Sequence, residues 1–246
     1  MLQTSTVATG RPAPSLATRR WHARLDLMQS ATGFALAAFL LLHTLFVSTL
    51  LFSPDAFAAV LRLTDLTVFF GHPVHVFHVL VAGLVAAFLL VHAVTALRKF
   101  PAGYREYQDL RRHLRGMRHV DSTLWFWQGV TGLLLFFLAS VHLYAMITQP
   151  DRMSPEFAVT RIVDERAWLL YLLLTPIAQF HSLTGLYRLA LKWGIVRGRD
   201  PRRTRRRLLQ AVWVAMAAFV AIGFATLTKE LRAGLTRARD AVAVMP

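Results

Sequence analysis

The sequence predicts an all-α membrane protein built as a bundle of five transmembrane helices. Hydrophobic residues make up 55% of the 246 residues and charged residues only 17%, a composition too apolar for a soluble domain of this length. The apolar residues are gathered into five runs of about 20 residues, the length at which a helix crosses a bilayer. The positive charge is concentrated on one side of these runs. Together the three observations indicate that the bilayer is the solvent of this chain.

The five apolar runs follow one another along most of the chain. They extend over Leu27–Leu51, Val74–Leu97, Leu124–Met146, Trp168–Leu191 and Leu208–Leu227. We expect residues 1–25 to form a cytoplasmic tail, residues 26–230 the transmembrane domain and residues 231–246 an external tail. Arg19 and Arg20 precede the first run, but that run is full length and lacks the short core and cleavage site of an export signal. The first run is therefore expected to be retained as a helix.

The net charge of +15 has two interpretations, nucleic-acid binding or membrane topology. Twenty of the 28 Lys and Arg residues flank one side of the apolar runs, within residues 11–24, 98–118 and 188–207, and eight flank the other side. Cytoplasmic loops carry such an excess of Lys and Arg. We therefore expect the N terminus in the cytoplasm, the C terminus outside, and no nucleic-acid partner.

The arginine-rich segment between the second and third runs has the pattern of an amphipathic helix. Its apolar side chains recur at helical spacing and are Tyr104, Tyr107, Leu110, Leu114 and Met117. Two interpretations stay open: a docking face for a peripheral subunit, or a helix that lies at the level of the lipid headgroups.

Four histidines lie inside the apolar runs, one in each of the first four. At about 1.5 Å per residue from the cytoplasmic end, His43 lies roughly 24 Å and His142 roughly 27 Å into the membrane, whereas His92 lies roughly 8 Å and His181 roughly 15 Å in. The histidines therefore form an outer pair, His43 with His142, and an inner pair, His92 with His181. A metal held between helices needs its ligands at one depth, and each pair meets that condition.

Two neutral imidazoles at each level suit the two axial positions of a b-type haem, whereas zinc requires three or four protein ligands. The chain has no cysteine, which excludes thiolate-bound clusters and covalently attached haem. The sequence thus predicts two b haems, an outer one on His43 and His142 and an inner one on His92 and His181. Two alternatives stay open: each histidine is hydrogen-bonded to a neighbouring helix, or His78, 14 residues before His92, replaces one outer ligand.

A short internal echo accompanies the histidines of the first and third runs. Residues 29–33 read QSATG and residues 128–132 read QGVTG, and in both cases a histidine follows the glycine by ten residues. Ten residues of helix leave glycine and histidine on one side. The small residues there allow a flat macrocycle or a neighbouring helix to approach closely.

Longer strings resemble one known family. DLMQSATG, LLHTLFVSTL, LRKFPAGYREY, DSTLWFWQGVTGLLLFFLASVHLYAMITQP and HSLTGLYRLALKWG are similar to the dihaem cytochrome b subunit of quinol:fumarate reductases, within the succinate:quinone oxidoreductase superfamily. The resemblance covers nearly the whole chain between residues 26 and 194. It implies a flavoprotein and an iron–sulfur subunit as cytoplasmic partners, menaquinone or menaquinol as redox partner, a dimer of heterotrimers, and a location in the bacterial inner membrane.

The resemblance also implies residues that hold the haem propionates. Those expected at the inner haem are Gln29, Ser30, Trp125 and Lys192, and the charge of Lys192 at the cytoplasmic end supports its role independently. Arg161, just before the fourth run, is the corresponding cation for the outer haem, although an exposed loop arginine is an equal alternative.

Asp65 lies in the external segment SPDAFAAVLRLTDLTVFF, where the family carries a glutamate thought to accept protons from quinol. Quinol oxidation near the outer haem needs a base, and Asp65 is the expected proton acceptor, with a solvated loop aspartate as the alternative. At position 179 the chain has glutamine, where several family members have a glutamate proposed to pass protons through the membrane. Glutamine cannot carry a proton by ionising, which puts that route in doubt and weakens the case for fumarate reduction over succinate oxidation.

Three classes of function follow. The first is the electron-transferring anchor of a fumarate reductase or of a succinate:menaquinone dehydrogenase. The second is the dihaem subunit of another respiratory complex, such as a nitrate reductase or a hydrogenase. The third is a transporter or scaffold without redox chemistry, for which the depth-matched histidines would be coincidence.

Overall fold

The computed structural model describes residues 15–116, 120–195 and 200–243, and within these ranges the chain is helical and contains no strand. Residues 1–14 of the expected N-terminal tail, Met117 of the amphipathic pattern and the last three residues of the expected C-terminal tail lie outside the described part. The helices are α1 (Leu16–Ser48), α2 (Pro54–Thr64), α3 (Thr67–Phe70), α4 (His75–Leu97), α5 (Tyr104–Gly116), α6 (Val120–Thr148), α7 (Pro155–Val163), α8 (Trp168–Lys192) and α9 (Pro201–Ala243).

The predicted transmembrane architecture is confirmed. Within the described ranges, five helices are long and apolar enough to cross a membrane, namely α1, α4, α6, α8 and α9. Their outward-facing side chains, among them Leu80, Val141 and Val214, are large, apolar and exposed. Such a surface is stable only against lipid.

Four of the long helices form a closed ring. α1 packs against α4, α4 against α6, α6 against α8, and α8 against α1. α9 lies outside the ring and packs mainly against α8 and the short α7. The four helices of the ring are the four that carry the predicted histidines, so the fold directs all of them toward one interior.

Two of the helices, α1 and α9, extend more than ten residues beyond one end of their apolar runs. Ser15 caps α1 by accepting a hydrogen bond from the backbone N–H of Thr18 at 3.2 Å, so the helix begins 11 residues before the first run at Leu27. α9 continues to Ala243, well past the end of the fifth run at Leu227. The apolar runs therefore mark the membrane crossing but not the helix ends.

The segments predicted to be external fold into short helices with similar starts. Ser53 and Ser154 cap α2 and α7 by accepting hydrogen bonds from the N–H groups of Ala56 and Phe157, and a proline follows each cap. Serine at the cap with proline at the first helical position is a favoured helix start. Leu66, with φ of 63°, reverses the chain between α2 and α3. These helices close the outer end of the ring.

Polar ties fix α9 to the ring at both ends. At the end predicted to be cytoplasmic the Tyr187 hydroxyl donates to Asp121 at 3.1 Å and accepts from Nε of Arg205 at 3.0 Å, and Arg205 forms an ion pair with Asp121. At the outer end Nζ of Lys229 donates to the carbonyls of Leu50 and Leu51 at 2.7 and 3.2 Å. Leu50 and Leu51 belong to the single 3₁₀ turn, Thr49–Leu51, that follows α1. Lys229 satisfies carbonyls that this turn leaves without helical partners.

Candidate metal centres in the helix bundle

The four membrane histidines meet in two pairs across the interior of the ring. The ring centres of His43 and His142 are 6.0 Å apart, and those of His92 and His181 are 6.3 Å apart. The predicted pairing by depth is therefore what the fold produces. The role of these histidines as metal ligands stays a prediction.

The two pairs lie at different depths. The distance between them follows from two glycines that contact the inner histidines and lie on the helices of the outer histidines. A Cβ added to Gly33 would meet Cε1 of His92 at 2.7 Å, and a Cβ added to Gly132 would meet Cε1 of His181 at 2.8 Å. Each glycine precedes an outer histidine, His43 or His142, by ten residues on the same helix, which is about 15 Å of helical rise. The inner pair therefore lies about 15 Å from the outer pair.

The inner imidazoles are oriented by backbone carbonyls. Nδ1 of His92 lies 3.1 Å from the carbonyl oxygen of Gln29, and Nδ1 of His181 lies 3.0 Å from that of Gln128. Because a carbonyl can only accept, Nδ1 carries the hydrogen in both rings. The lone pair of each imidazole is then at Nε2, the arrangement that metal-ligating histidines have in most sites. The QSATG and QGVTG echo thus supplies a matching carbonyl and a matching gap for each inner histidine.

The outer imidazoles are held mainly by aromatic neighbours. His43 stacks on Phe39, with ring centres 5.6 Å apart and planes 12° apart. Nδ1 of His142 lies 3.4 Å from the hydroxyl of Tyr171. Within the described part of the chain neither outer histidine has a carbonyl partner of the kind that holds the inner pair.

A single continuous cavity of about 1710 Å³ runs through the ring and is lined by all four histidines. This volume exceeds the 300–1,000 Å³ of an ordinary small-molecule site. Its walls are mostly leucine, phenylalanine, valine and alanine from α1, α4, α6 and α8. The cavity is therefore apolar, elongated along the membrane normal and large enough for more than one bulky ligand.

The donor set and its spacing fit b-type haem. Histidine holds the iron of haem proteins, and the imidazoles that would hold it here face each other in pairs, with 6.0 and 6.3 Å between ring centres. Groups of three or more His, Asp or Glu side chains that could hold a metal are absent from the described ranges, so the zinc alternative lacks its ligand set. The gaps beside Gly33 and Gly132 keep the inner imidazoles unobstructed.

The end of the cavity that is predicted to be cytoplasmic is rich in positive charge. Arg98, Lys99 and Lys192 all form ion pairs with Asp26, so one carboxylate faces three cations. Nζ of Lys192 also donates to Ser30 Oγ at 3.2 Å. The excess of positive charge suits an anionic group at this end of the cavity.

The remaining residues predicted to hold the inner propionates border the same end. Trp125 lines the cavity and stacks on Phe100 with ring centres 5.5 Å apart. Gln29 also lines the cavity, and its side-chain Oε1 is buried and has no hydrogen-bond partner among the described residues. A buried amide oxygen without a partner is an unsatisfied acceptor, and rotation of the amide would present its Nε2 donor to an anionic ligand. The fold therefore gathers Gln29, Ser30, Trp125 and Lys192 in one place.

Arg161 lies at the outer end and lines the cavity from α7. Its Nη2 donates to the carbonyl of Arg152 at 3.2 Å, while Nε is buried without a partner in the described part of the chain. The guanidinium thus faces the interior with unused donor capacity.

Asp65 ends α2 and is only 5% exposed. Its Oδ1 accepts hydrogen bonds from the backbone N–H and the hydroxyl of Thr67, at 2.9 and 2.5 Å. Among the described residues that line the cavity Asp65 is absent, whereas His78 is present. The alternative of a solvated loop aspartate does not match this burial.

Gln179 lies in the interior of α8 and is 1% exposed. Its Nε2 donates to the hydroxyl of Thr44 at 2.9 Å, and its Oε1 has no partner among the described residues. The side chain therefore links α8 to α1 next to His43, at the middle of the membrane.

Three supporting residues were not found by reasoning from the sequence. These are the carbonyl of Gln128, the hydroxyl of Tyr171 and the guanidinium of Arg188, whose Nη1 donates to Gln128 Oε1 at 2.6 Å. The QGVTG echo pointed to the position of Gln128 but not to its carbonyl. Arg188 was counted only as a topology charge, although its position seven residues after His181 puts it on the same helix face.

Comparison with known proteins shows which family this sequence resembles. Residues 104–222 match the family described as succinate dehydrogenase/fumarate reductase transmembrane subunit. The chain is 40% identical over 218 residues to the fumarate reductase cytochrome b subunit of Wolinella succinogenes, covering 88% of this chain and 84% of the relative. It is 37% identical over 226 residues to the subunit of the same name from Helicobacter pylori, covering 91% of this chain and 86% of the relative.

The resemblance first drawn from short strings is confirmed by similarity over nearly the whole length of these relatives. The five membrane-spanning helices match a transmembrane subunit. This chain therefore belongs to the family of succinate dehydrogenase and fumarate reductase transmembrane subunits, among the fumarate reductase cytochromes b.

Proposed function

We propose that this chain is the dihaem membrane anchor of a quinol:fumarate reductase in the bacterial inner membrane, and that it passes electrons from menaquinol to an iron–sulfur subunit and a flavoprotein subunit. The observation that carries this proposal is the pair of facing imidazoles at each of two depths, 6.0 and 6.3 Å between ring centres, in one cavity. When bound, two b haems would supply one-electron carriers between quinol and the partner subunits.

The residues of this chain hold and orient those groups. His43 and His142 are the proposed outer ligands, and His92 and His181 the inner ligands, with the carbonyls of Gln29 and Gln128 fixing the inner rings. Because each carbonyl keeps a hydrogen on Nδ1, Nε2 stays available as the ligating atom. The apolar walls exclude water from the interior.

Charged groups at the two ends of the cavity would bind the propionates. Lys192, Ser30, Gln29 and Trp125 serve the inner end, where three cations outnumber the single carboxylate Asp26. Arg161 serves the outer end with its buried Nε.

Quinol oxidation releases protons, and Asp65 is the proposed acceptor at the outer end. Oδ1 is held by Thr67, and within the described ranges no hydrogen bond engages Oδ2. One oxygen thus fixes the carboxylate while the other keeps capacity for a proton.

The cytoplasmic surface would carry the partner subunits. α5 is amphipathic and basic, its Tyr104 and Tyr107 are exposed, and it adjoins the charged inner end of the cavity. We propose this face as the docking surface of the iron–sulfur subunit, with the whole complex forming a dimer of heterotrimers whose mass in detergent provides the test.

A second direction of reaction, succinate oxidation with menaquinone as acceptor, uses the same anchor. Gln179 is the reason to keep this direction as a second candidate. The residue links α8 to α1, but its amide cannot carry a proton by ionising. The dicarboxylate reacts on the flavoprotein in either direction and does not contact this chain.

Haem quantitation on the purified complex tests the proposal. We expect the unchanged complex to contain two b haems, visible in the reduced-minus-oxidised spectrum. His43→Ala and His142→Ala should each remove the outer haem, and His92→Ala and His181→Ala the inner one. If His43→Ala and His92→Ala each lost the same haem, the pairing would be contradicted. A purified complex without haem would contradict the proposed function.

A further inference from the structure

The outer end of the cavity contains a histidine that the proposed function does not use. His78 lies one turn into α4 and lines the cavity. Its Nδ1 is buried and has no hydrogen-bond partner among the described residues. An imidazole in an apolar wall with an unsatisfied nitrogen is costly unless a ligand uses it.

The neighbouring histidines differ from His78 in both respects. His72 and His75 are exposed, and His75 Nδ1 lies 3.2 Å from the carbonyl oxygen of Pro150. Neither is among the described residues that line the cavity. Of the three histidines in this segment, His78 alone faces the interior.

Asp65 lies beside His78 but behind the cavity wall. The backbone carbonyl of Asp65 accepts from the N–H of Val74 at 2.9 Å, and Val74 and His78 are one helical turn apart on the same face. The Asp65 carboxylate and the His75 imidazole are both near enough to the His78 ring to interact with it electrostatically. The arrangement is therefore cavity, imidazole, then carboxylate.

We propose that His78 takes the proton from the quinol and that Asp65 acts through it. This inference rests on the proposed oxidation of quinol at the outer end. In the step, a hydroxyl O–H bond of the quinol breaks, its proton goes to the imidazole, and an electron leaves toward the iron–sulfur and flavoprotein subunits. Repeating the step turns quinol into quinone, with two electrons and two protons removed.

The two nitrogens of imidazole suit this relay. A proton taken at one nitrogen can be released from the other, and the Asp65 carboxylate stabilises the imidazolium between the two events. The hydrogen bonds from Thr67 hold Asp65 for this purpose. His78 thus touches the substrate, and Asp65 keeps its proposed role as acceptor at the outer end by acting through the imidazole.

The test compares His78→Ala, His78→Gln and Asp65→Asn in the purified complex, with His75→Gln as the matched control on the same helix. Each is assayed for haem content, for dye-driven fumarate reduction and for oxidation of a soluble menaquinol analogue. We expect both His78 variants to keep two haems and dye-driven activity and to oxidise the quinol about 10²–10⁴-fold more slowly. His75→Gln should match the unchanged complex.

Added imidazole distinguishes a proton acceptor from a structural residue. It should restore quinol oxidation at least tenfold in His78→Ala, where the side chain leaves space, but not in His78→Gln or Asp65→Asn. Binding of a fluorescent hydroxyquinoline N-oxide, a quinol analogue, should weaken in His78→Ala and not in His75→Gln.

Three results would overturn the inference while leaving the proposed function in place. The first is that His78→Ala oxidises quinol within twofold of the unchanged rate while Asp65→Asn is slow. The second is that His78→Ala is slow and added imidazole does not restore its rate. The third is that both His78 variants lose the outer haem. Full activity in both His78→Ala and Asp65→Asn would instead reject proton uptake at the outer end as a whole.

Discussion

At the scale of single residues, the space beside the inner imidazoles depends on glycine. Gly33→Ala or Gly132→Ala would put a methyl group within 2.8 Å of a ring carbon of His92 or His181, so the imidazole must move off its carbonyl partner. We expect about tenfold or greater loss of the inner haem, measured by haem content and by the reduced-minus-oxidised spectrum.

A third glycine provides the control for this prediction. Gly83 lies in α4, and a Cβ there meets nothing within 4 Å. Gly83→Ala should keep both haems, and an unchanged inner haem in Gly33→Ala would show that the ring is not confined as the fold indicates.

Arg188 is a second residue whose effect can be measured on the inner haem. Its guanidinium lines the cavity and donates to Gln128, whose carbonyl accepts from His181. In Arg188→Gln the loss of a partly buried positive charge should stabilise oxidised iron relative to reduced iron. The midpoint potential of the inner haem should become more negative, by redox titration.

The outer haem should keep its midpoint potential in Arg188→Gln, and the exposed Arg237→Gln should change neither. A shift of the outer haem alone would mean that Arg188 acts elsewhere.

At the scale of helices, the position of α9 depends on the hydroxyl of Tyr187, which is 1% exposed and bonds to both Asp121 and Arg205. Tyr187→Phe removes hydrogen bonds to two charged groups while the ion pair stays. We expect a loss of about 1.5–3 kcal/mol in stability, seen as a lower thermal unfolding midpoint of the purified complex. Tyr144→Phe, on the exposed face of α6, should leave the midpoint unchanged.

Helices also show where reasoning from sequence succeeds and where it stops. Hydropathy located all five membrane crossings because bilayer thickness sets the length of the apolar run. It did not give the ends of α1 and α9, because the helical turns beyond their apolar runs consist largely of polar residues. The starts of α2 and α7 at Ser53–Pro54 and Ser154–Pro155 were readable signals of helix initiation that a search for long apolar runs passes over.

The pairing of the histidines was predictable because helix rise converts residue number into depth. The carbonyls that orient the inner pair were not, because every residue has one and only packing selects which is used. Asp65 was predicted to accept the quinol proton, and this role stays a prediction, with His78 proposed to lie between the carboxylate and the quinol. Its position behind His78 depends on the turn at Leu66, whose φ of 63° no sequence pattern indicated.

At the scale of the whole molecule, the charge distribution predicts orientation. The chain contains no cysteine, so single introduced cysteines report cleanly. Gly103→Cys, where added atoms meet nothing within 4 Å, should be protected from a membrane-impermeant maleimide in intact cells. Asp151→Cys, in the exposed segment before α7, should be labelled, and the reverse pattern would contradict the positive-inside assignment.

Gln179 has a consequence for energy conservation. Of the described residues lining the cavity the only carboxylate is Glu230, and the neighbouring Lys229 binds the carbonyls of Leu50 and Leu51 just after α1. The described residues in the middle of the bundle therefore offer no carboxylate to carry a proton across the membrane. If quinol protons leave outside while electrons move inward and fumarate takes up protons in the cytoplasm, each turnover builds a transmembrane voltage. That voltage opposes inward electron flow by about 2.3 kcal/mol per electron at 100 mV. An energised membrane would therefore slow fumarate reduction and drive succinate oxidation, and an uncoupler added to sealed vesicles should reverse both effects.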